Sequence, residues 1–77
     1  MDLRRTFAAN LRKLRTDKGL SQEDLAHQAE INRSYISDLE TGKTYVGLEI
    51  MGKIADVLGV EGADLLKKIK PTSPKRK

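Results

Sequence analysis

Apolar residues recur along this chain at helical spacing in five stretches, and no stretch alternates with a period of two. Leu3, Phe7, Leu11 and Leu14 follow one another at intervals of four, four and three, one stripe of an amphipathic helix that Ala8 widens. Arg4, Arg5, Arg12, Lys13 and Lys18 fall mostly outside that stripe, and Gly19 follows as a left-handed stop. Ser21 then offers a side-chain oxygen at an N-cap position with Asp24 three residues on. Glu or Gln is the usual partner at that spacing, so the capping box is expected to be a weaker version. Leu25, Ala26 and Ala29 form the inward face of a second helix, and the small Ala26 lets another helix cross closely.

A short turn from Glu30 to Asn32 leads into a third helix, which Asn32 can cap. Ile36 and Leu39 point inward there, while Arg33, Ser34, Ser37 and Asp38 cover an arc of about 140° on the other side. The result is a short helix with one apolar edge and a dense hydrogen-bonding face. Thr41 to Tyr45 make a polar loop with Gly42 as a stop. Between about Gly47 and Leu58 a fourth helix presents Leu48, Met51, Ile54, Ala55 and Leu58 as a core-facing stripe. Ile50 and Val57, seven apart, lie on a second apolar edge of that helix, the pattern of a surface that meets a second copy of the chain. A fifth helix is expected from about Gly62 to Ile69, with Leu65, Leu66 and Ile69 packing back and Pro71 as its stop. The periodicity therefore predicts an all-α fold of five helices over residues 1–70, with residues 71–77 a disordered basic tail.

Charge changes the picture less than its total suggests. The net charge is +4, but six of the fifteen Lys and Arg lie in residues 67–77, where there is no acid. The rest of the chain carries nine basic residues against eleven acidic ones, a net of −2. A case for nucleic acid must therefore rest on where charges sit and not on the isoelectric point. The chain has no cysteine and a single histidine, His27, so no disulfide, thiolate site or His cluster is available, and no metal or cofactor is expected. Nothing approaches a membrane span or an apolar leader, which points to a cytoplasmic protein. With one His, no glycine-rich phosphate loop and little room for a pocket, an enzyme is not expected, nor is a small-molecule ligand.

Gln22, Ala26, Ile31, Ile36 and Leu39, together with the runs LRKLRTDKGLSQEDLA, LETGKT and IADVLGV, resemble the phage-repressor-like helix-turn-helix family, also called XRE or Cro/CI, over residues 4 to 66. Within that family, Arg33-Ser34-Tyr35-Ile36-Ser37 is most similar to the short stand-alone members, the restriction-modification controller proteins. The resemblance implies a compact lambda-repressor-like DNA-binding domain whose third helix lies in the major groove of double-stranded DNA, usually as a homodimer on a palindromic operator. It places Arg33, Ser34, Ser37 and Asp38 at base-reading positions, and Gln22, Lys43 and Thr44 where phosphates are held. It further implies an ion pair between Arg15 and Glu40 that ties the first helix to the end of the third. The chemistry agrees: arginine at the start of a groove-lying helix can form two parallel bonds to guanine, and Asp38 can accept from cytosine. Tyr35 sits beside the inward edge, where its ring can pack and its hydroxyl reach a phosphate.

Three residues depart from the family pattern. Glu30 stands where glycine is preferred, and a left-handed backbone there costs a non-glycine residue on the order of 1 kcal/mol. Val46 and Gly47 leave the fourth helix without a strong N-cap, and Gly62 weakens the first turn of the fifth. The leading reading is a sequence-specific DNA-binding transcriptional regulator; the alternative is an antitoxin or protein-interaction module of the same fold.

Overall fold

The structure, a computed structural model, describes residues 2–67. Its elements in order are α1 (Leu3–Asp17), α2 (Gln22–Ala29), α3 (Arg33–Glu40), α4 (Leu48–Leu58) and a closing 3-10 helix (Gly62–Leu66). Among the described residues there is no strand. Helix α1 packs on α3 and on the 3-10 helix, and α2 lies between α3 and α4. The large side chains with no exposed surface are Leu11, Leu25, Ile36, Leu39, Ile54 and Leu65, so every element contributes to one shared core. Truncating any of them to Ala is the class of change that costs about 2 to 5 kcal/mol.

Each helix is started by a specific side chain or left without one. Asp2 accepts the Arg4 amide at the head of α1 (3.0 Å), and Asn32 accepts the Ser34 amide at the head of α3 (2.8 Å). At α2 both arms of the capping box are made: the Asp24 amide donates to Ser21 Oγ (2.9 Å) and the Ser21 amide donates to Asp24 Oδ2 (3.0 Å). Aspartate's shorter side chain thus suffices where a weaker box was expected. Helix α4 starts at Gly47 with no side-chain cap, as its sequence implies.

All four α-helices end in the same way. At each, an amide two or three residues past the helix end reaches back five residues: Leu20 to Arg15, Ile31 to Ala26, Lys43 to Asp38 and Val60 to Ala55, at 2.8 to 3.0 Å. This closure needs one residue with positive φ, supplied by Gly19, Gly42 and Gly59 and, after α2, by Glu30 at φ 58°. Glu30 is exposed and is the only non-glycine with positive φ among the described residues. Leu20, Ile31 and Val60, which follow the left-handed residue, pack against the core and so fix where each connection lands.

Two expectations are corrected. The fifth helix is a 3-10 turn ending at Leu66, with Lys67 extended (φ −74°, ψ 140°). Asn10, buried on α1, donates Nδ2 to the carbonyls of Leu65 (2.8 Å) and Lys67 (2.7 Å), taking acceptors that a continuing helix would use. The expected packing of Ile69 and the tail from Pro71 lie outside the described residues. Leu48, assigned to the core stripe of α4, is 81% exposed, and Leu3 at the start of α1 is 51% exposed. Both are first residues of their helices, where side chains lean back past the helix end and are only partly covered.

The left-handed Glu30 predicts that Glu30→Gly stabilises the protein by about 0.5 to 1 kcal/mol in urea unfolding, whereas Glu30→Ala gives no gain. Equal midpoints for the two variants would show that the turn is unstrained. The caps predict acid sensitivity. Hydrogen bonds from the Ser21 amide and hydroxyl hold the Asp24 carboxyl below its ordinary range, and Lys67, then the Glu61 amide, do so for Asp64. Both bind a proton less readily when folded, so their stabilisation is present above the unfolded value near 4 and is lost as pH falls through the lower folded values. The melting temperature is expected to fall below about pH 4, and Asp24→Asn to flatten that fall; a variant curve parallel to the wild type would remove Asp24 from the account.

Candidate nucleic-acid interface

The polar face of α3 is open. Arg33 and Ser34 are exposed at its start, and Ser37 and Asp38 are half-exposed one turn on, while Ile36 and Leu39 on the opposite side are sealed in the core. The apolar edge therefore sets the rotation of the helix about its axis, and that rotation aims the four polar side chains at solvent. Arg33 stands at the first position after the Asn32 cap, where the amides of the first turn and the guanidinium both favour an anion.

Two neighbouring segments border this helix. The loop from Thr41 to Gly47 is drawn back along α3, because the Tyr35 hydroxyl donates to the Tyr45 carbonyl (3.2 Å). Thr44 Oγ1 points at the same carbonyl (3.5 Å), and Lys43 is exposed just past the left-handed Gly42. The half-buried Tyr35 thus spends its hydroxyl proton inside the protein, leaving the oxygen as an acceptor. Gln22, the first residue of α2, is the second border: its Nε2 donates to Glu40 Oε1 (3.1 Å) at the far end of α3.

Behind that border lies a charged knot. Arg15 Nε donates to Glu40 Oε2 (2.5 Å), Nη2 to Glu40 Oε1 (3.0 Å) and Nη1 to the Leu20 carbonyl (2.7 Å). The Glu40 side chain is 2% exposed and that of Arg15 12%. The Glu40 hydrogen bond raises the Arg15 pKa above its ordinary value against the cost of burial, so the guanidinium stays charged. One ion pair therefore joins α1, the α1–α2 connection, the start of α2 and the end of α3.

Apolar surface is concentrated elsewhere. A shallow depression between the start of α1, the 41–47 loop and the start of α4 is lined by Leu3, Phe7, Val46, Leu48, Met51 and Leu66. The Arg4 guanidinium lies 4.6 Å from the centroid of the Tyr45 ring at its rim, and Tyr45 is 71% exposed. Ile50 and Val57 are half-buried and packed against the core, and Leu48 lies about 180° round α4 from Val57.

The Gln22 to Glu40 bond, the Arg4 stack on Tyr45 and the exposure of Leu48 were not read from the sequence. Only the Leu48 exposure had a signal there, in its place as the first residue of an uncapped helix. No group of three His, Cys, Asp or Glu able to hold a metal is found among the described residues, and no helix there is long and apolar enough to cross a membrane.

Known proteins share this fold. The helix-turn-helix family profile matches residues 11–65. The control protein C.BamHI of Bacillus amyloliquefaciens is 41% identical over 66 residues, which covers 84% of this chain and 82% of that one. The restriction-modification controller protein C.AhdI from Aeromonas hydrophila superposes with a TM-score of 0.78 at 42% identity, over 80% of this chain and 94% of that one. SinR, a master regulator for biofilm formation solved in complex with DNA, superposes with a TM-score of 0.76 at 29% identity, over 79% of this chain and 98% of its own. With its exposed polar third helix and its match across most of the described residues, the chain belongs to the XRE-like helix-turn-helix family of DNA-binding transcription regulators.

Proposed function

We propose that the protein is a controller-type regulator that binds a palindromic operator as a homodimer, with α3 in the major groove. The observation that carries this reading is the orientation of α3: its core-facing Ile36 and Leu39 leave Arg33, Ser34, Ser37 and Asp38 as one outward polar face. In the groove Arg33 reads guanine with two parallel bonds, Ser34 and Ser37 add less discriminating contacts, and Asp38 accepts from cytosine or rejects a wrong sequence. Gln22, Lys43 and Thr44 hold phosphates on either side and set the register without reading sequence, and Tyr35 contributes by fixing the 41–47 loop through the Tyr45 carbonyl rather than by donating to a phosphate. The similarity to C.BamHI and C.AhdI, both named as controllers, supports this reading.

For the dimer contact we propose the side of Leu48, in preference to Ile50 and Val57. Among the described residues, Leu3, Tyr45 and Leu48 are the large apolar ones left exposed, and they cluster about one depression, whereas Ile50 and Val57 are half-buried. Burying such a patch against its own copy gives a closed two-fold pair.

Arg33→Ala is expected to abolish preference between operator and scrambled DNA, with a loss of about 1 to 3 kcal/mol of discrimination, while Lys43→Ala weakens both alike and lowers the salt slope by about 1. Titrations at several salt concentrations measure both, and an undiminished operator preference in Arg33→Ala sinks the base-reading assignment. Leu48→Ser is expected to raise the dimer dissociation constant by about tenfold or more in sedimentation velocity without altering the helical spectrum, since the side chain packs on little within the monomer. Wild-type self-association in Leu48→Ser would move the contact to the Ile50 and Val57 flank.

A further inference from the structure

We infer that Glu40 is a positioning residue for DNA binding: it holds the Gln22 amide in one orientation as a ready donor to a phosphate, and Arg15 makes this possible by neutralising the carboxylate. The inference rests on the reading of Gln22 as a phosphate contact.

The geometry is specific. A carboxylate only accepts, so the group of Gln22 that faces Glu40 Oε1 must be the NH2 and not the carbonyl. That contact consumes one N–H and determines where the second points, leaving it for an outside acceptor. A free glutamine would have to freeze its torsions when it meets a phosphate; this one is already held, through a chain of bonds that ends on a guanidinium with three hydrogen bonds, two to Glu40 and one to the Leu20 carbonyl. An acid placed so near a phosphate would repel it, yet Glu40 is engaged by both Nε and Nη2 of Arg15, so the pair presents little net charge. The ion pair is thus more than a tie between helices, because its acid has a second customer at the protein surface.

Replacing the acid by its amide isolates this role. In Glu40→Gln the new side chain can donate as well as accept, so the Gln22 amide is free to turn either way. The full-length chain is titrated with an operator selected from random DNA, as wild type, Gln22→Ala, Glu40→Gln and the double variant, with thermal melts as a check on folding. Gln22→Ala is expected to weaken binding about tenfold and Glu40→Gln about three- to tenfold. The double variant should be no weaker than the weaker-binding single variant, and the salt slope of Gln22→Ala should match the wild type, because no charge is removed. If Glu40→Gln does not fold because it strands Arg15, the same cycle is run in Arg15→Met with Glu40→Gln, which leaves no buried charge. Losses that multiply would show that Glu40 acts only on the fold and overturn the inference. A Gln22→Ala variant that binds like the wild type would overturn it too, while the loss of operator preference in Arg33→Ala leaves the DNA-binding reading standing.

Discussion

A single buried carboxylate does more to set the geometry of this domain than any apolar contact. Glu40 ends α3, and its two oxygens take three donors, two from α1 and one from α2. Apolar attraction is non-directional, but a guanidinium and a carboxylate bonded in parallel define both distance and angle. Stripping either partner from so buried a pair costs about 3 to 5 kcal/mol, a large share of the about 5 to 15 kcal/mol that holds a small domain together. The pair therefore stabilises little when intact, yet its loss is severe, the signature of an interaction kept for orientation.

The second constraint is the connections. Three left-handed glycines and one left-handed glutamate close the helices by the same pair of backbone bonds, and in three cases the next residue is an apolar anchor. The angle at which α3 leaves α2 is in this way written in a few backbone torsions between Ala29 and Asn32. Asn10 performs the matching task at the other end, where its amide replaces the backbone partners that a longer helix would have provided.

Most of the helices were legible in the sequence because burial in a domain this small is one-sided, and a one-sided helix writes its period into the chain. Phe7, Leu11, Leu25, Ile36 and Ile54 were all readable on that basis. The same logic misplaced Leu48 and Leu3, since periodicity knows the angle around a helix but not whether any neighbour covers its first turn. It also overextended the closing helix, because the partner of its last carbonyls, Asn10, lies 55 residues away. The polar arc of α3 was visible as spacing, whereas its meaning came from resemblance to a family. The hydrogen bond from Gln22 to Glu40 was hidden for the reason that hides most tertiary polar contacts: eighteen residues separate its ends and no local pattern joins them.

The shortness of the joints has a mechanical corollary on the DNA side. A reading head whose connections are closed by backbone bonds, and whose back is clamped by a buried ion pair, has few soft torsions with which to follow a misplaced target. In the proposed two-fold complex, one base pair added between the half-sites would shift them by about 3.4 Å and rotate them by about 35°. A protein built this stiffly would pass such a mismatch to the double helix as twist and bend, so that the flexibility of base steps it never touches would become part of what it selects.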